Sequence, residues 1–125
     1  MILCKKYGII LDNTELETPA LLHAKTGAAF ARELFGISDR VYEAIYWHTT
    51  GKPDMSLLEK IVYLADIIEP GRDFPGVDHL RELSYENLDK AMAEALRGSM
   101  EDVRRQGRIP HENSAKAYEY YAEIQ

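Results

Sequence analysis

Asp54-Met55-Ser56-Leu57-Leu58-Glu59-Lys60-Ile61-Val62-Tyr63-Leu64-Ala65-Asp66-Ile67-Ile68-Glu69-Pro70-Gly71 carries helix signals at both ends. Ser56 followed three residues later by Glu59 fits a capping box, in which side chains and backbone of the first turn satisfy one another. Pro70-Gly71 stops the segment, since proline cannot continue a helix. Between these limits Leu58, Ile61, Val62 and Ala65 recur at helical spacing and mark the inner face. On the amino-terminal side, Ser38-Asp39 caps a shorter helix carrying Val41, Ala44 and Ile45, which ends among Thr49, Thr50, Gly51 and Pro53. Before it, Thr18-Pro19 reads as an N-cap and first helical residue of a segment that runs to Gly36. On the carboxyl side, a loop containing Arg72-Asp73-Phe74-Pro75-Gly76 leads to a short helix over 77–83 and a long one from about Ser84 to Gln106, closed by Gly107. A last helix from about Asn113 carries Ala117, Tyr120, Tyr121 and Ile124. Nothing alternates with period two over a useful length, so the expected fold class is all-α, in one domain spanning 1–125.

Composition narrows the function classes. The 125 residues, 46% hydrophobic and 29% charged, are those of an ordinary globular domain, and the apolar run around 57–68 is broken by Glu59, Lys60 and Asp66, which excludes a membrane span. The start, Met1-Ile2-Leu3-Cys4-Lys5-Lys6-Tyr7-Gly8, lacks the long apolar region of a secretory signal, so a cytoplasmic location is expected. That same stretch reads as the last turns of a helix whose beginning is missing. A single cysteine, Cys4, supplies neither an internal disulfide nor a thiolate metal cage. The net charge of −6 opposes general binding to a phosphate backbone, so neither nucleic acid nor membrane is an expected partner. Arg97, Arg104, Arg105 and Arg108 are interleaved with Glu94, Glu101 and Asp102 at helical spacing, which reads as pairing within a helix.

The informative pattern is one ionisable residue on the apolar stripe of each of three consecutive helices. His23 shares a face with Gly27, Phe30, Ala31 and Leu34; His48 extends the series Val41, Ala44, Ile45; Asp66 projects with Val62 and Tyr63. All three are therefore expected to point inward. An unpaired buried carboxylate costs several kcal/mol, so Asp66 requires a partner. Two imidazoles and a carboxylate suit a divalent transition metal and leave positions open for water and substrate. Hydrogen-bonded core histidines, with Asp66 paired to Arg72 or Lys60, satisfy the same pattern, and the residues alone leave both readings open. His79, beside Asp78 and Arg81, and His111, after Pro110, are expected to face solvent.

At these residues the sequence resembles the YqeK-type branch of the HD-domain phosphohydrolases. The resemblance rests on Leu21-Leu22-His23-Ala24-Lys25-Thr26-Gly27, on His48-Thr49-Thr50-Gly51-Lys52-Pro53 and above all on Met55 through Val77, and it extends from roughly Tyr7 to His111. It implies an all-α, HD-domain-like helical bundle and a metal-dependent hydrolase that splits diadenosine tetraphosphate symmetrically into two ADP. His23, His48 and Asp66 match ligands of an iron-type centre, with manganese as the alternative, and Asp66 is also the candidate catalytic residue. Lys25, Thr49, Arg72 and His111 match positions suited to nucleotide and phosphate contact. The implied chemistry is attack of an acidified water on phosphorus, with metal charge stabilising the phosphoryl oxygens. The family pattern opens with a histidine and a following His-Asp pair, and this chain has no histidine before His23 and no His-Asp dipeptide. The chain is accordingly expected to be the carboxyl-terminal portion of the family fold, with uncovered apolar faces that favour self-association. The alternative it leaves is a truncated, inactive helical module that binds nucleotide or protein.

Overall fold

In the computed structural model, residue 8 and residues 22–124 are described. Helices α1 (Leu22–Phe35), α2 (Asp39–Tyr46), α3 (Leu57–Ile68), α4 (Val77–Glu86), α5 (Leu88–Arg105) and α6 (Glu112–Glu123) follow one another with no strand among the described residues, as the all-α reading expects. The expected start of the first helix at Thr18-Pro19, and the helix-like opening of the chain, lie outside the described residues. The long helix α5 is the centre of the packing: α3, α4 and α6 lie against it, α2 lies on α3, and α1 lies on α2.

Local chemistry explains the boundaries. Helix α1 ends where Gly36 turns left-handed (φ 58°) and its N–H donates to the Arg32 carbonyl at 3.0 Å. The Ser38 hydroxyl accepts from the Val41 N–H at 3.3 Å and caps α2. Both bonds of the Ser56–Glu59 capping box are made, at 3.2 and 2.9 Å. One boundary differs from expectation: Ser84 to Glu86 belong to α4, and α5 begins at Leu88. Asn87 takes an extended backbone, donates its N–H to the Leu83 carbonyl at 2.8 Å, and caps α5 with its side-chain oxygen accepting from the Lys90 N–H, so one residue ends one helix and starts the next.

The core gathers Tyr63 and Leu64 of α3, Leu80 and Leu83 of α4, Met92 and Leu96 of α5, and Ala117 and Tyr121 of α6. The inner face of α3 is therefore rotated from the expected one. Tyr63 and Leu64 are buried with Glu59, whereas Ile61 is 46% exposed and Ala65 is exposed. The cause is tertiary: α5 approaches from the Tyr63 side, and the Ile61 side of the apolar helix is left to solvent. Gly51 has a specific role here. Its φ is 73°, and a Cβ would stand 3.3 Å from Leu96 and 3.5 Å from Ala117, so only glycine lets the α2–α3 loop sit directly on the core.

Candidate functional site

The residues just before Gly51 are His48, Thr49 and Thr50, in the turn that leaves α2. The His48 Nδ1 is 2.6 Å from the carbonyl oxygen of Ile45, which can only accept, so Nδ1 carries the proton. The neutral ring then presents a bare lone pair at Nε2. That Nε2 faces the Nε2 of His23 on α1 at 3.1 Å, with the rings edge to face and their centroids 5.0 Å apart. An N–H···N bond satisfies this pair, and so does a cation. Two metal–nitrogen bonds of about 2.1 Å reach across 3.1 Å comfortably, so the donor set fits an ion held from one side by both imidazoles.

His48 and Thr49 form one edge of an open groove of about 650 Å³. Its floor and far wall include Tyr63 and Asp66 of α3, Arg72, Phe74 and Gly76 of the following loop, and Arg97, Ser99 and Arg105 of α5. Asp66 is not buried: its side chain is 51% exposed, and its Oδ1 lies 3.7 Å from the Arg72 guanidinium. Arg72 Nε also donates to the Asp66 backbone carbonyl at 3.1 Å. Of the two local partners considered from sequence, Arg72 is therefore the one found, while Lys60 pairs with Asp89 at 2.9 Å. His23 is likewise exposed and His48 half-buried, so the expectation that all three point inward is corrected. His48 and Asp66 stand at the rim of the groove, with His23 beside His48, because the interior is filled by Tyr63, Leu64 and Leu96. Among the described residues, no group of three or more His, Cys, Asp or Glu side chains is close enough to hold one ion.

Tyr63 is the buried polar neighbour of this edge. Burial pushes its hydroxyl up to about 12, with the Asp66 charge adding to the rise and a Ser99 hydrogen bond opposing it. It thus presents a neutral phenol beside a carboxylate and a guanidinium.

Lys25, Thr49 and His111 come together at a second, small corner with Tyr46, Trp47, Thr50 and Asn113. Thr49 lines both this corner and the groove. The Lys25 ammonium is 5.5 Å from the centre of the Tyr46 ring. His111 departs from the expected solvent-facing turn: it is 7% exposed and caps α6, its Nδ1 accepting from the Asn113 N–H at 3.0 Å. Helix α6 is tied to the same corner by Ser114, whose hydroxyl donates to the Thr50 carbonyl at 2.8 Å.

Sequence reading had given no site role to the α5 wall. Arg97, Glu101 and Arg105 do pair within the helix as expected, at 3.2 and 3.7 Å, with Asp102 joining Arg105 at 2.6 Å. Their i, i+4, i+8 spacing also places them on one face, with Gly98 among them, and that face borders the groove. His79 of α4, exposed as expected and 3.7 Å from Glu94 of α5, also lines the groove.

Paired histidines near the lip of a groove carrying carboxylates and guanidinium groups, on an all-helical scaffold over the described residues, supply the donor types that bind metal ions and phosphate esters. The HD domain family model matches residues 4–71, and the chain belongs to the HD-domain family. It is 53% identical over 77 residues to a symmetrical bis(5'-nucleosyl)-tetraphosphatase of Halalkalibacterium halodurans, an alignment covering 61% of this chain and 41% of that protein. It is 43% identical over 83 residues to the protein of the same name from Bacillus subtilis, covering 66% of this chain and 45% of the relative. A solved structure from Clostridium acetobutylicum, described as a predicted HD superfamily hydrolase involved in NAD metabolism, superposes with a TM-score of 0.93 at 39% identity. That superposition covers 99% of this chain and 66% of the other. The chain thus spans less than half the length of these curated relatives. No helix among the described residues is long and apolar enough to cross a membrane.

Proposed function

We propose that residues 1–125 act as one HD-type domain in the metal-dependent hydrolysis of dinucleoside polyphosphates, splitting diadenosine tetraphosphate into two ADP. The observation that carries this reading is the His23–His48 pair, with facing Nε2 atoms at 3.1 Å, set on the edge of a groove that also holds Asp66 and Arg72. The names of the curated relatives supply the substrate. His23 and His48 would hold a divalent or trivalent transition ion from one side, iron in this reading with manganese as the substitute, and Asp66 would join them as third ligand only by leaving its present place at the groove edge. Such an ion, when bound, makes a water more acidic and offsets negative charge on phosphoryl oxygens.

The remaining roles belong to the chain. Arg72, half-exposed between Asp66 and Glu69, offers guanidinium N–H groups that match a phosphate's oxygens in a planar fork. The Thr49 hydroxyl and Lys25 ammonium extend that polar contact into the adjoining corner, where His111 fixes the start of α6. Asp66 orients Arg72 through a loose 3.7 Å ion pair, which it would give up on becoming a ligand of the ion.

The test is ADP release from diadenosine tetraphosphate by the purified chain, with and without ferrous or manganous ion. Metal-dependent release that disappears in Asp66→Ala supports hydrolysis. Absence of release, with ADP still bound, supports the inactive nucleotide-binding module.

A further inference from the structure

We propose that Arg81 of α4 is a positioning residue for Arg72, setting the direction in which the Arg72 guanidinium enters the groove. The inference rests on the reading above in that Arg72 is taken to meet phosphate. Arg81 lies outside the groove lining, yet its guanidinium makes three hydrogen bonds to the segment that carries Arg72 and a fourth within its own helix. Its Nε donates to the Ile68 carbonyl at 3.0 Å, and its Nη2 donates to the carbonyls of Glu69 at 3.0 Å and Arg72 at 2.8 Å. Its Nη1 donates to the Asp78 carboxylate at 3.0 Å, which holds the fork in plane.

The carbonyls of Ile68 and Glu69 are the last of α3 and have no helical partner. A cation there satisfies them and complements the negative end of the helix. The Arg72 carbonyl is different, because it belongs to the turn after Pro70-Gly71, closed by the Arg72 N–H on the Glu69 carbonyl at 2.9 Å. One planar group thereby clamps the end of α3 and the far side of the turn together. With its backbone held, Arg72 has one approach to Asp66, and its Nε bond to the Asp66 carbonyl follows. A lysine cannot reproduce this, since a single ammonium lacks the planar fork that reaches three carbonyls and a carboxylate.

The test uses Arg81→Gln and Arg81→Lys in the 125-residue chain, with two readouts. The first is the Arg72 Nε–H resonance in nitrogen-15 NMR, assigned by its loss in Arg72→Lys. It is expected to be shifted from free arginine in the unchanged chain and to move to the free-arginine position in both Arg81 variants, whose helical circular dichroism is retained. The second is a cycle of ADP dissociation constants with Arg72→Ala. Arg81→Gln is expected to weaken ADP by roughly tenfold, the order of one charged hydrogen bond, and to add nothing once Arg72 is alanine. An unmoved Arg72 resonance in folded variants, or losses that multiply in the double variant, overturns the proposal. If the unchanged chain does not bind ADP, the phosphate reading of Arg72 fails, and the resonance alone decides whether Arg81 positions it.

Discussion

The Nε2 atoms of His23 and His48 lie 3.1 Å apart although 25 positions separate them in the chain. The contact joins α1 to the turn that leaves α2, two helices that pack directly, and it is oriented by the Ile45 carbonyl, which fixes the proton of one ring.

If that pair holds an ion, His23→Ala and His48→Ala each weaken manganous or ferrous binding by about tenfold or more. Because His23 is exposed, its loss changes folding stability by no more than about 0.5 kcal/mol. Calorimetric titration with either ion checks the first statement and urea unfolding the second. Equal ion binding by the unchanged chain and both variants would remove the metal from this site.

Tyr121→Phe is expected to destabilise by about 1–3 kcal/mol. The Tyr121 side chain is 1% exposed, and its hydroxyl accepts from the buried Met55 N–H at 2.7 Å, a bond that joins α6 to the start of α3. Phenylalanine keeps the packing and leaves the amide without this acceptor. A midpoint of urea unfolding equal to that of the unchanged chain would mean that water replaces the hydroxyl.

Stability is expected to fall at both extremes of pH. Burial acts to raise the Glu59 pKa, but the Ser56 donors and the Lys52 ammonium at 3.3 Å outweigh it and hold the carboxyl below its ordinary 4.5. The folded state therefore binds this proton less readily than the unfolded one. The stabilisation is present above the unfolded value and is lost as pH falls through the folded one. Tyr121 works in the opposite range: burial pushes it up to about 12, so its stabilisation is complete below pH 10 and is lost as pH rises toward 12. Unfolding midpoints followed from pH 7 to pH 3, compared with Glu59→Gln, isolate the acid limb. An identical acid loss in that variant would assign it to other carboxylates.

Gly98 sits inside the 18-residue helix α5, and a Cβ added there meets nothing within 4 Å. Gly98→Ala should therefore raise stability by about 0.5–1 kcal/mol, the difference between the two residues in a helix interior. Thermal unfolding tests this directly. A lower melting temperature would show that the groove face of α5 has a constraint beyond helix propensity.

Phe30, Leu34 and Phe35 near the end of α1 are 47%, 56% and 77% exposed, and Ile61 and Tyr85 add apolar surface elsewhere. Concentration-dependent sedimentation of the chain is expected from such surface. A monomer at every concentration up to the solubility limit would count against it.

Helix positions were legible in the sequence because caps and stops are local chemistry. Ser38, Ser56 with Glu59, Gly36 and Pro70 act on atoms within a few residues of themselves, and each does in the structure what its type and spacing imply. The boundary at Asn87 was missed because its helix-compatible neighbours conceal a residue that caps two helices at once. His23, His48 and Asp66 could be singled out as polar residues amid apolar periodicity, and Arg72 through the motif that follows them. Their surroundings could not, since a stripe gives a direction relative to its own helix axis and says nothing of which neighbour approaches it.

The sequence by itself determined six helices' worth of local signals, the absence of a sheet pattern and membership of a helical family. Tertiary structure alone decided that α5 covers the Tyr63 side of α3, which turns Asp66 to the groove edge and leaves Ile61 in solvent. It alone brought His23 against His48, Ser114 against Thr50, and Arg81 against the carbonyls beside Arg72. The physical reason is range: capping and turn formation are settled within one helical turn, whereas burial and a shared groove depend on which helices meet, a property of the whole packed chain.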